Sequence, residues 1–278
     1  MNIAEQFRGI WVIAYRDLLR FLQERARLLS TFAMPILFLI IFGAGFKNVI
    51  GPMAPGIDFV QFIYPGIIAM TVLMSSLMSG ISIVWDREFG FLREVLVAPL
   101  SRGSIVLGKV LGSAIVSLGQ AVIMLVLAPF LKVELGLMMI LKLIPILIII
   151  SIAISGLGIL IASRMRSQQT FQLLVQIVIM PMTFLSGVFF PVNNVAVWLS
   201  VISKLNPLTY GVDAVRQIFL SVSTTAIELP AGMTVTPAQA IGVTVFGHTM
   251  SVLEDTLIVM GLGIILLVLA VLSFSKQD

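Results

Sequence analysis

Long apolar runs alternate with short polar breaks along most of the chain. Their lengths predict six bilayer-crossing helices, at 28–46, 59–84, 105–131, 137–162, 170–190 and 256–274. Pro35 falls inside the first run, where a membrane helix accommodates it as a kink. The runs are continuously apolar, which excludes a barrel, whose strands alternate in short segments.

Three stretches break the pattern. On a helical wheel over 5–27, Phe7, Ile10, Trp11, Ala14, Leu18, Phe21 and Leu22 share one side. Glu5, Arg8, Arg16, Asp17, Arg20, Glu24 and Arg27 lie largely on the other. This predicts an amphipathic helix outside the hydrocarbon, with Trp11, Arg16 and Arg20 as interfacial groups. It either lies in the membrane interface or packs on a partner.

The second stretch, Trp85 to Arg102, reads WDREFGFLREVLVAPLSR. Phe91, Leu92, Val95 and Leu96 recur at helical spacing from Glu88 to Ala98, and Pro99 stops the helix. Its charges of both signs, with Phe89, Phe91 and Leu92, suit either docking in a groove of a soluble partner or lying on the headgroups.

The third stretch is 191–255. Its segments Trp198–Leu205 and Leu208–Leu220, the latter entered through Asn206 and Pro207, are too short to cross a bilayer and too apolar for water. Re-entrant or interface-lying helices are expected there, forming a gate or a plain outer cap. Asp213 and Arg216, at i and i+3, could pair on one face. Residues 221–245 read as an exposed excursion rich in Ser, Thr, Ala, Pro and Gly.

Composition agrees with a multi-pass class. Of 278 residues, 59% are hydrophobic and 11% charged, against roughly 45–50% and about 25% in soluble domains. The first apolar run follows a long charged segment, so no secretory signal peptide is expected. The net charge of +4 reflects loop lysines and arginines rather than a nucleic-acid surface. Twelve of the 17 Lys and Arg, with Lys109 counted beside the 85–102 stretch, fall on the side that six spans give to both termini and 85–102. That side is expected to be cytoplasmic.

Chemistry is sparse. There is no cysteine and no GxxxxGK[ST] phosphate loop, so no thiolate metal site and no ATP binding by that route are expected. His248 reads as a lone histidine with no nearby carboxylate. The spans read as nearly free of ionisable groups, which argues against an ion-coupled carrier. Gln169, Gln172 and Gln176 share one face as interhelical glue or as the lining of a translocation path.

The run Asp86-Arg87-Glu88-Phe89-Gly90-Phe91-Leu92-Arg93-Glu94-Val95-Leu96-Val97-Ala98-Pro99 resembles the cytoplasmic loop of ABC-2 transporter permeases, particularly the daunorubicin-resistance-like drug exporters. Many members have Thr-Leu-Glu where Phe91-Leu92-Arg93 stands here, which points toward a Gly-Phe-containing subgroup. A second match, Phe184-Leu185-Ser186-Gly187-Val188-Phe189-Phe190-Pro191 followed by Asn206-Pro207-Leu208-Thr209-Tyr210 and Asp213-Ala214-Val215-Arg216, resembles the end of span 5 and the outer re-entrant helices of that family.

The resemblance implies an all-α polytopic membrane protein built as one transmembrane domain over 1–278. Residues 86–100 would form a coupling helix on a separate ATPase subunit that holds ATP and Mg, with Asp86, Arg87, Glu88, Phe89, Gly90, Phe91, Leu92, Arg93, Glu94 and Pro99 as contacts. The amphipathic helix would be an elbow making a second contact. Phe189, Pro191, Asn206, Pro207, Tyr210, Asp213 and Arg216 would belong to an outer gate spanning 191–255.

The resemblance further implies a homodimer, or a pair of related permeases, with two ATPase copies and no cofactor or metal bound by this chain. The expected function is ATP-driven export of a hydrophobic or amphiphilic substrate such as a drug, lipid or glycolipid. A secondary carrier or channel working alone is the alternative. A membrane-embedded lipid-modifying enzyme is opposed by the lack of a His/Asp/Glu cluster.

Overall fold

The computed structural model describes residues 3–23, 25–45, 59–90, 100–131, 133, 135–190, 192, 195–221, 227–228, 234–235, 242–245 and 248–275. Helices follow one another as α1 (Ile3–Gln23), α2 (Arg25–Gly45), α3 (Phe59–Leu77) and α4 (Ile81–Glu88). Then come α5 (Arg102–Leu127), α6 (Leu137–Arg164), α7 (Gln168–Leu185), α8 (Val197–Leu205), α9 (Pro207–Leu220) and α10 (Val252–Ser275). The excursion before α10 adds two small antiparallel ribbons, β1 (Ile227–Glu228) with β2 (Thr234–Val235) and β3 (Thr244–Val245) with β4 (His248–Thr249). These are a minor departure from the expected all-α chain.

Among the described residues, four helices are long and apolar enough to cross a membrane: Phe62–Glu88, Arg102–Leu127, Leu137–Arg164 and Val252–Ser275. They correspond to the expected spans 2, 3, 4 and 6. The protein is therefore a multi-pass membrane protein. The expected spans 1 and 5 coincide with α2 and α7. Among the described residues, α2 contributes only the shorter apolar piece Phe32–Ile41, and α7 carries Gln168, Gln169, Gln172 and Gln176.

Several boundaries shift for local reasons. The second span does not end at Val84. A 3-10 turn at Met78–Gly80 joins α3 to α4, which continues to Glu88. Asp86, Arg87 and Glu88, expected to open a separate helix, therefore form its last turn. Gly90 ends it with φ +81°, a conformation that favours glycine, while its N–H donates to the Arg87 carbonyl at 3.2 Å. Ser101 and Ser167 cap the helices that follow them by accepting from Ser104 N and Thr170 N.

Small residues set the close crossings. A Cβ on Gly158 would strike the Leu77 carbonyl, and one on Gly80 would lie 2.8 Å from the Ala162 Cβ. So α6 crosses the α3–α4 junction backbone against backbone. Gly108 and Gly112, four apart on α5, receive Ile13 and Ala14 of α1 at 2.9 and 3.1 Å from where a Cβ would stand. This docking adds a contact that neither reading of the first helix included. The helix packs on its own chain, burying Ile13, Ala14 and Phe21, while Phe7 and Trp11 stay exposed. Hydroxyl pairs tie the interior: Ser151 accepts from Ser76 at 2.9 Å and Ser117 at 2.7 Å, and Ser155 donates to Ser113 at 2.8 Å.

Candidate functional site

Five helix ends and α1 meet at one end of the bundle, which is knitted by charge. Lys109 of α5, 2% exposed, donates to Ser82 Oγ at 2.8 Å and lies 3.3 Å from Asp86 and 3.5 Å from Asp17. Arg16 of α1 reaches the same two carboxylates at 3.1 and 3.7 Å. Two cations thus balance two anions, which the interior requires of buried charge.

The neighbouring charges cap helices. Arg87 donates to the Ser163 and Met165 carbonyls at the end of α6, at 3.3 and 2.6 Å. Glu88 accepts from Gln168 N at 2.9 Å where α7 begins. Arg102 donates to the Ser275 carbonyl ending α10. Cations at carbonyl ends and a carboxylate at an amide end each complement the helix dipole.

The charges of the 85–102 stretch are therefore divided. Asp86 is buried and committed within the chain, and Arg87 is half-buried. Glu88, Phe89 and Gly90 are exposed, Phe89 by 65%. Phe91, Leu92, Arg93, Glu94 and Pro99 lie outside the described residues. On the far side of the stretch, Ser101 N donates to Gln6 Oε1 at 3.1 Å, and Leu100 packs on Gly9 of α1.

At the opposite end, α9 is buried along nearly its whole length between α3, α6 and α10, whereas α8 is largely exposed. Asn206 caps α9 by accepting from Leu208 N at 3.1 Å, Pro207 occupies its first turn, and the Asn206 amide donates to the Met182 carbonyl at 2.7 Å. Tyr210 donates to the Lys204 carbonyl at 2.7 Å. Phe189 stacks between Phe38 and Phe184 at 5.8 and 5.2 Å. Pro191 is outside the described residues.

Asp213 and Arg216 are both buried but bond in different directions. Arg216 donates to the Gly187 carbonyl at 2.6 Å and sits over the Phe62 ring at 4.1 Å. Asp213 accepts from Val243 N at 2.8 Å and from the Gln217 amide at 3.0 Å. The i, i+3 spacing brings the charges near, yet each side chain bonds a separate loop. Burial raises the Asp213 pKa, opposed by the Val243 N–H, the Arg216 charge and the Gln217 amide. Gln217 also donates to Asp255 Oδ2 at 3.1 Å and to the Met250 carbonyl at 3.0 Å. It thereby joins α9 to α10, a role the sequence reading did not assign.

This arrangement combines apolar crossing helices, a charge-knitted end and a short buried helix. Residues 8–220 match the family model for the ABC-2 type transporter. The chain belongs to the ABC-2 type transporter family. It is 30% identical over 215 residues to a protein of Cyanophora paradoxa named as transport permease ycf38, covering 76% of this chain and 73% of that one. It is 32% identical over 173 residues to an Escherichia coli K12 protein named as multidrug ABC transporter permease YbhR, covering 60% and 45%. It is 26% identical over 210 residues to nodulation protein J of Rhizobium meliloti strain 1021, covering 74% and 79%. This ABC-2 chain is thus a membrane transport permease, and its family implies partnership with an ABC ATPase.

Two expectations about the permease are corrected by its geometry. Its spans are not free of ionisable groups, since Lys109 lies 2% exposed within α5 and Asp255 is fully buried at the start of α10. His248 does have a carboxylate, with Glu254 at 3.3 Å, six residues on and exposed like it. Gln169, Gln172 and Gln176 are all exposed on α7, and of the three only Gln172, joined by Gln168, borders the cavity beside α1.

Proposed function

We propose that this permease is the membrane subunit of an ATP-driven exporter, coupled through residues 86–100 to a separate ATPase that holds ATP and Mg. In this reading α2 and α7 complete six spans, both termini face the cytoplasm, and two permease copies work with two ATPases. The cargo is hydrophobic or amphiphilic. The observation that carries the reading is the anchoring of both ends of the 85–102 stretch. At its start, Asp86, Arg87 and Glu88 bond α5, α1, α6 and α7. At its end, Ser101 and Arg102 bond α1 and α10.

A partner that displaces the exposed tip at Phe89 would move five other helices together, because their ends share these bonds. The pull would reach α9, the proposed outer gate, through its packing on α6 and α10. The test is co-purification with a phosphate-loop ATPase from the same cell. Alanines at Phe89, Phe91, Leu92 and Glu94 should abolish association and transport while leaving the permease folded. If ATPase recovery and transport match the parent chain, the coupling role of this stretch is refuted.

A further inference from the structure

A cavity of about 310 Å³ lies between α1, α3–α4, α5 and the start of α7. Its wall at the charged end holds Lys109, Asp17, Arg20 and Trp85. Lys109 and Arg16 are matched by Asp17 and Asp86, which leaves Arg20 without a carboxylate partner among the described residues. The Arg20 guanidinium sits over the Trp85 ring, 5.3 Å from its centroid. Its Nη1, the Trp85 indole Nε1 and Ser79 Oγ are all buried without a hydrogen-bond partner; Asp17 Oδ1 on the same wall also lacks one, its charge met by Lys109 at 3.5 Å.

Buried donors normally have acceptors, because an unmet one forfeits its hydration. Three unmet donors beside a cation with no carboxylate partner among the described residues call for an anion. Beside and beyond that end the wall carries no charge: Met78, Ile81 and Val116 are apolar, Ser75 and Ser113 are neutral, and Ser75 lies ten residues, about 15 Å, from Trp85 along the helix axis. The cavity therefore changes from charged to uncharged and largely apolar along its length, as an amphiphile does.

We infer that this cavity binds one anionic amphiphile, with a phosphate or carboxylate headgroup against Arg20, Trp85 and Ser79 and its first carbons along Met78, Ile81 and Val116. Binding does not depend on the export reading; identifying the bound molecule as cargo does. The planar Arg20 fork suits either headgroup, and Trp85 is an interfacial residue type. A bilayer phospholipid and a transported amphiphile would present the same chemistry.

The test uses the full chain carrying Trp11→Phe and Trp198→Phe, so that Trp85 is the sole indole. In neutral maltoside micelles, dihexanoyl phosphatidic acid should shift Trp85 emission saturably, at least tenfold more tightly than dihexanoyl phosphatidylcholine. Arg20→Gln should weaken the phosphatidic acid response by about ten- to a hundredfold, the worth of a charged hydrogen bond. Arg20→Lys should fall between. Equal titrations by the two lipids, or an unchanged midpoint in Arg20→Gln, overturn the inference in favour of a water-filled cavity. Native mass spectrometry then separates the sources. A retained anionic amphiphile discharged by the ATPase and ATP is cargo, and one retained throughout is a bilayer lipid. Finding either with Arg20 intact but not with Arg20→Gln supports the site even if the export reading fails.

Discussion

Lys109→Met is the sharpest perturbation of the charged end. The substitution keeps length and apolar stem but removes the cation between Asp86 and Asp17. Two unit charges 3.3 Å apart interact by about 5 kcal/mol at an effective dielectric of about 20. Removing one member of a buried pair costs about 3–5 kcal/mol, because the other charge stays behind. Here Arg16 remains within 3.1 Å of Asp86 and 3.7 Å of Asp17, so about half of that loss is recovered.

A net cost of about 2 kcal/mol should lower the melting temperature by about 4–8 °C. Thermal unfolding of the detergent-purified permease, followed by loss of monodispersity, reads it. Asp86→Leu in the same chain should restore much of the loss, since it removes the stranded carboxylate. The double mutant should therefore depart from additivity by at least about 1 kcal/mol. A melting temperature within about 1 °C of the parent, or strictly additive effects, would refute the account of this lattice.

Gly158→Val should cost about 1–3 kcal/mol or more, because its side chain must displace Leu77 where α6 crosses the α3–α4 junction; yield and melting temperature check it. Arg216→Leu should strand the Gly187 carbonyl and destabilise by about 1–3 kcal/mol, read by thermal unfolding, with Arg216→Lys recovering part. Asp213→Asn keeps an acceptor for Val243 N–H and Gln217. It should lower the melting temperature less than Asp213→Ala. His248→Ala should leave the melting temperature unchanged, since its partner Glu254 is exposed.

Much of the helix inventory was legible because hydrophobic run length is a direct reading of bilayer thickness. The crossing helices α5, α6 and α10 lie within a few residues of the apolar runs at 105–131, 137–162 and 256–274. The end of the second span was misplaced because charge marks a loop only when it faces water. Asp86 and Arg87 are spent on Lys109 and on the carbonyls of α6, so the helix carries them inward. Lys109 itself was the available signal, a lysine inside an apolar helix, but it was counted with the loop charges. The Gly108–Gly112 spacing was likewise readable as a docking groove for α1.

Other features had no local signal. Arg216 and Asp213 sit at pairing distance in sequence, and only the loops delivering the Gly187 carbonyl and Val243 N–H decide that they bond elsewhere. Arg20 over Trp85 joins residues far apart in the chain, so the cavity they border could not be seen from periodicity.

The central claim is that the 85–102 stretch receives the ATPase. A photo-crosslinking residue placed at Phe89, 65% exposed at the charged end, should capture a phosphate-loop ATPase in cells. The same residue at Leu137, 75% exposed where α6 starts at the opposite end, should not. Capture at Leu137, or at neither position, would contradict the account.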